Sequence, residues 1–173
     1  MKLHAIIWPE GYTPGFTDNF CSNEVIVAGL SAQDIWPLLI TPALWPTYYQ
    51  NSANTRFYDN QGPELAQGVR FYFETFGFPV EAQVTEYDMP ADGHPGRLAW
   101  HGWSGEEGDE ARLDVIHAWL VENLPDNRVR ILTQESQKGK PAQELAMTKP
   151  NPMINGHQDW LDGLVAAAKT QHA

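Results

Sequence analysis

A single cysteine, Cys21, stands in a chain of 173 residues, which excludes any intramolecular disulfide and suits a reducing cytoplasm. No apolar run approaches the roughly 20 residues of a membrane span. The N-terminal LHAIIW is broken at once by Pro9. It is too short for the apolar core of a signal peptide, and no cleavage site follows it. Basic residues are scarce, 11 against 22 acidic, and a net charge of −11 argues against nucleic acid or an anionic membrane surface as the main partner. There is no G-x-S-x-G, no phosphate-cradling glycine loop and no dinucleotide fingerprint, so neither ATP nor NAD is expected, nor any other cofactor. Internal repeats and low-complexity segments are missing too. One domain over 1–173 is expected, with residues 1–19 as an arm punctuated by Pro9, Gly11, Pro14 and Gly15.

What the chain has in plenty is aromatic surface: seven Trp, seven Phe and six Tyr. That surplus can fill a core or line a cavity. The best helix runs from Asn151 to Lys169, with Asn151 as N-cap and Pro152 at the first helical position. At 100° per residue Met153, His157, Trp160, Leu164 and Ala168 share one arc, which must be buried. Gly156 and Gly163 lie seven apart on its flank, where a neighbouring backbone is expected to come close.

Most of the preceding chain reads as strand. Phe20–Gly29 is the first. Ser31 then caps a short helix to about Ile40, with Asp34 completing a capping box and Pro37 inside. A second short turn of helix opens at Pro42. Alternating segments follow at Thr55–Asp59, Val69–Thr75, Val80–Tyr87, Arg97–Trp103, Leu113–Val121 and Val129–Ser136, joined by hairpin-type turns. Lys138–Lys149 reads as an approach helix.

This order, with NEVIVAGLSAQDIWPLLITPALWPTYY at 23–49, RVRILTQESQ at 128–137 and the terminal helix, resembles the SRPBCC superfamily over residues 20–170. That superfamily includes START domains, Bet v 1-like proteins, polyketide cyclases and AHSA-type domains. The resemblance implies an α+β helix-grip fold: a curved antiparallel sheet of about seven strands wrapped around a long C-terminal helix, with two short helices after the first strand. It further implies a cavity for small apolar or amphipathic molecules, lipids among them. It brings no shared catalytic motif, so the chemistry has to be argued from the residues.

By alternation His117 shares a face with Leu113, Val115, Trp119 and Val121, and His157 points inward by helical phase. Together with Glu135, in step with Val129, Ile131 and Thr133, they are the candidates for general acid and base. Glu86 has a similar parity but reads more simply as solvent-facing near a strand end. The neighbours of His101, Trp100 and Trp103, have opposite parity, so alternation does not choose its face. If a ligand is held, its wall is expected from Trp36, Tyr48 and Tyr49 around the short helices. On the sheet Phe71, Phe73, His101, Trp103, His117 and Trp119 would contribute, and on the helix Met153, His157, Trp160 and Leu164. Phe76 and Phe78 fit a wall as well. Each of these serves equally well as core. No histidines stand at HxH or HxxxH spacing, metal ligands would have to come from separate elements, and no metal is expected.

Binding of a small hydrophobic or amphipathic molecule is therefore the leading expectation. A cyclase- or isomerase-like enzyme and an interaction domain with a filled interior are the alternatives. The arm, with Trp8, could pack on its own sheet or on a second copy in a homodimer.

Overall fold

Ser31 starts the first helix as a reciprocal cap. Its hydroxyl accepts from the backbone of Asp34, whose carboxylate accepts from the Ser31 N–H at 2.7 Å. The computed structural model describes residues 1–172. In it strand β1 (Asn19–Ala28) leads into helix α1 (Ala32–Leu39), a 3-10 turn at Pro42–Leu44 and a single helical turn, α2 (Trp45–Tyr48). Strands β2 (Ala53–Phe57), β3 (Arg70–Thr75), β4 (Phe78–Asp88), β5 (Gly96–Ser104), β6 (Leu113–Leu124) and β7 (Arg128–Lys138) follow. Helices α3 (Lys140–Met147) and α4 (Pro152–His172) complete the described chain.

The seven strands form one antiparallel sheet in the order β1-β7-β6-β5-β4-β3-β2. Hairpin connections run from β2 to β7, and β1 closes beside β7. The sheet curves around α4, as expected of a helix-grip fold. Asn151 caps α4, its Oδ1 accepting from the Met153 N–H at 3.0 Å. The arc foreseen for this helix is the one it buries: Met153, His157, Trp160, Leu164 and Ala168 are all buried. Gly163 lets the helix lie against the Tyr48 carbonyl, where a Cβ would collide.

The outer face of the sheet is covered in part by the N-terminal arm. Arg97 and Arg130 each donate to its backbone, at the carbonyls of Ala5 and His4. His4 also meets Glu122 at 2.6 Å, and Glu122 pairs with Arg130 at 2.7 Å. Hence Ile116, Ala118 and Leu120, the outward residues of β6, are buried as well as the inward ones.

The centre of the grip is filled rather than hollow. Trp45 donates its indole N–H to the Leu39 carbonyl and lies against Phe71, Phe73, Trp100 and Trp160, with ring centroids 5.0–6.1 Å away. Among the described residues no helix is long and apolar enough to cross a membrane.

Candidate functional site

Directly opposed residues in an antiparallel ladder point to the same face, so register lays a row of side chains across the sheet. Trp100 on β5 faces His117 on β6, His117 faces Glu135 on β7, and Glu135 faces Cys21 on β1. All four point inward and are buried. His157 comes down from α4 onto this row. Its ring stacks on His117 with centroids 4.5 Å apart and planes at 23°.

His117 Nδ1 lies 3.3 Å from Glu135 Oε1, and His117 Nε2 hydrogen-bonds Thr133 Oγ1 at 2.8 Å. Burial pushes the Glu135 carboxyl up to about 8, only partly offset by the hydrogen bond from Gln137. Burial, and next to it the neighbouring His157, hold His117 well below the usual imidazole range. Burial brings His157 down to about 4. The 3.3 Å contact is a close polar approach in which burial disfavours the charged form of each partner.

A chain of amides fixes where the Glu135 proton sits. The Met153 N–H can only donate, so Asn151 accepts through Oδ1 and presents its NH₂ to Asn19 Oδ1 at 2.9 Å. Asn19 in turn donates to Gln137 Oε1 at 2.7 Å, and Gln137 donates to Glu135 Oε2. With Oε2 occupied as an acceptor, the acid's proton belongs on Oε1, facing His117 Nδ1. A buried carboxylic acid is thus oriented end to end from a helix cap.

These groups form one pole of a cavity whose other walls are apolar, among them Phe73, Trp100, Met153 and Trp160. The cavity volume is about 40 Å³, enough for roughly two or three waters. Counting the mouth open to solvent, the space amounts to about 460 Å³. Phe76, Phe78 and Leu145, all half-buried, stand at the mouth. Phe76 sits in the hairpin turn between β3 and β4 with φ of 52°, a costly conformation for an aromatic residue. Asn51 holds it there by accepting the Phe76 N–H at 2.8 Å.

Of the residues expected at a ligand wall, Phe73, His117, Met153, His157 and Trp160 line this cavity, as does Glu135. Phe71 and Leu164 lie in the packed core, as does Trp119, stacked on His117 at 5.4 Å. Trp36 packs on Tyr87 under α1. Tyr49 stacks on Trp160 at 4.6 Å, and the Tyr48 hydroxyl donates to the Leu38 carbonyl. His101 and Trp103 lie on the outer face, away from the cavity. There His101 meets Asp114 at 2.9 Å and Tyr12 of the arm, and Trp103 receives the guanidinium of Arg70. The physical reason is parity: Leu98, Trp100 and Gly102 take the inward positions of β5, so His101 and Trp103 point out. Glu86 also points outward. A bulge between Val84 and Glu86 shifts the register, pairs Glu86 with Ala99 and turns Tyr87 inward instead.

Gln137, Cys21 and Asn19 escaped the sequence reading. Gln137 was within reach, two residues beyond Glu135 on the same parity. Cys21 reaches His157 Nδ1 at 3.4 Å only through strand pairing and helix placement, which no spacing records.

No protein-family model matches the chain, and no curated protein sequence matches it. Among solved structures, a hypothetical protein from Helicobacter pylori is 52% identical, over 97% of this chain and 98% of that one, with a TM-score of 0.92. A norcoclaurine synthase from Thalictrum flavum aligns over 90% and 96% of the two chains at 14% identity and TM-score 0.63. The Zhui aromatase/cyclase from Streptomyces sp. R1128 aligns over 90% and 96% at 13% identity and TM-score 0.61. At such identities the two enzymes share the fold alone. The chain belongs to the family of the Helicobacter pylori protein, and it shares the helix-grip fold of the other two.

Proposed function

We propose that the chain binds a small amphipathic molecule, its polar group at the His117–Glu135–His157 pole and its apolar part toward Phe76 and Phe78. One observation carries this reading: a carboxyl group and two imidazoles, all buried, converge in an otherwise apolar cavity. Convergent polar groups in an apolar cleft are the usual mark of a small-molecule site. The room of about 40 Å³ argues for a small ligand, or for one whose tail lies in the mouth, because drug-sized or lipid ligands occupy several hundred Å³. Carriage of a sterol or a long acyl chain is correspondingly disfavoured.

The pole is also built for proton transfer. Glu135, pushed up to about 8, can give a proton to a bound ligand near neutral pH and take it back as the carboxylate, with the two imidazoles as hydrogen-bond partners for the reacting group. A cyclase- or isomerase-like activity is the enzymatic form of this reading. The norcoclaurine synthase and the aromatase/cyclase support it by fold analogy only. The filled aromatic centre supports a second reading, an interaction domain with no organic ligand. We assign a reducing cytoplasm on the strength of the lone, buried Cys21 thiol.

The test pairs native mass spectrometry of the purified chain with a thermal-shift panel of small phenols, aldehydes and carboxylic acids. A ligand at a hundred times its Kd stabilises by about 2.7 kcal/mol, a shift of several degrees. Binding is expected in the wild type and lost in His157→Leu, with the variant still folded. If nothing co-purifies and no panel member binds, the interaction reading replaces this one.

A further inference from the structure

The three polar groups at the pole come from β6, β7 and α4, and each is tethered at the atom it does not offer to the others. We propose that His117, Glu135 and His157 form a site for one divalent transition-metal ion of the zinc class. The expectation of no metal rested on sequence spacing, which cannot register donors brought together from three separate elements.

Each of the three residues offers one ligand atom, and these atoms lie within 4.8 Å of one another. Zinc bonds of about 2.0–2.1 Å in a tetrahedral site place donors about 3.3 Å apart. The group therefore has to close by at most about 1.5 Å, within the range of modest side-chain rotation. His157 makes the main adjustment, turning out of its stack on His117 to aim a nitrogen at the shared point.

The outer partners are already in place. Thr133 engages His117 Nε2 at 2.8 Å and leaves Nδ1, the atom that faces Glu135. Gln137 holds Glu135 Oε2 and leaves Oε1. Cys21 Sγ lies 3.4 Å from His157 Nδ1 and leaves Nε2. Hydrogen bonds at the non-ligating atoms are what fix tautomer and orientation in metal centres. Two imidazoles and a carboxylate are also the donor set of open zinc sites, which keep a position for water or ligand. Here that position faces the cavity, which the three residues line and whose room of about 40 Å³ accepts a water.

This inference goes beyond the small-molecule reading and does not depend on it, since an ion can bind while the cavity otherwise holds water.

The experiment uses the full chain, stripped with a chelator and free of organic ligand. It is titrated with Zn²⁺ by calorimetry and with Co²⁺ by visible absorption. One equivalent per chain is expected, with a Co²⁺ spectrum of low coordination number. Glu135→Gln and His157→Gln are expected to weaken zinc binding by about 100-fold or more, while His101→Gln on the outer face leaves it unchanged. Circular dichroism monitors folding. Should a ligand variant fail to fold, Thr133→Val keeps all three donors and is expected to lose about 10- to 100-fold through the freed His117 ring. Absence of stoichiometric uptake by the wild type overturns the proposal whatever the variants do. So does uptake that survives unchanged in both His117→Gln and His157→Gln. Zinc uptake without any hit in the ligand panel, or hits without zinc uptake, tells the two readings apart.

Discussion

Glu135 and His157 offer atoms within 4.8 Å of each other, and burial disfavours the charged form of both, which gives the metal-free protein a distinctive pH dependence. The Glu135 pKa rises on folding, from an ordinary value near 4.5 to about 8. Between those values the unfolded chain has lost the proton that the folded chain keeps, so stability falls as pH rises, by up to about 1.4 kcal/mol per unit. The His157 pKa drops on folding, from 6.5 to about 4, and that of His117 also drops well below its ordinary value. Between 4 and 6.5 the unfolded chain binds protons that the folded histidines refuse, so stability falls as pH falls. From 4.5 to 6.5 the two histidines oppose the one carboxyl and outweigh it; above 6.5 the carboxyl acts alone. Thermal unfolding is therefore expected to peak near pH 6.5, and Glu135→Gln is expected to remove most of the fall between pH 6.5 and 8. An unchanged alkaline limb in that variant would show that Glu135 is already ionised in the fold. At this scale alternation and helical phase were enough to turn His117, Glu135 and His157 inward from sequence. Nothing in the sequence brought Cys21 to His157, because that contact depends on which strand pairs with β7.

Helix α4 is seated by its glycines. At Gly163 a Cβ would strike the backbone carbonyl of Tyr48, which has nowhere to go, since α2 is pinned to α1 through the Tyr48 hydroxyl and the Leu38 carbonyl. At Gly156 a Cβ would meet the far end of the Phe76 ring, which can swing aside. Alanine at either site adds helix propensity of about 1 kcal/mol. Gly163→Ala is nevertheless expected to destabilise by about 1–3 kcal/mol through overpacking against backbone. Gly156→Ala is expected to be close to neutral while displacing Phe76 over the cavity mouth. Urea denaturation of the two variants checks this contrast, and equal midpoints would refute it. The close approach of a neighbour to this flank was legible from the glycine spacing, as were the capping box at Ser31 and the Asn151 cap. The bulge that sends Glu86 outward was not, because an extra residue in one strand leaves the apolar pattern almost untouched.

At the scale of the whole molecule, the fold could be read from the order of elements, but the hollow that the fold suggests could not be measured that way. Trp45 enters from the short segment after α1 and joins Trp100, Trp160, Phe71 and Phe73, filling the centre of the grip. What remains is a small room at the end nearer the β3–β4 turn, and the charge-capable groups of the interior are gathered at its pole. Side-chain volume decides between wall and plug, and a hydrophobic pattern records polarity without depth. The central claim is that this pole is the part of the molecule that meets a ligand. It is tested most directly by ¹⁵N NMR of the histidine side chains during titration with the small-molecule panel. Hits are expected to shift the ring nitrogens of His117 and His157 together and to leave those of His94 and His101 in place. Binding that moves only the outer histidines, or no change at His117 and His157 with any compound, would contradict it.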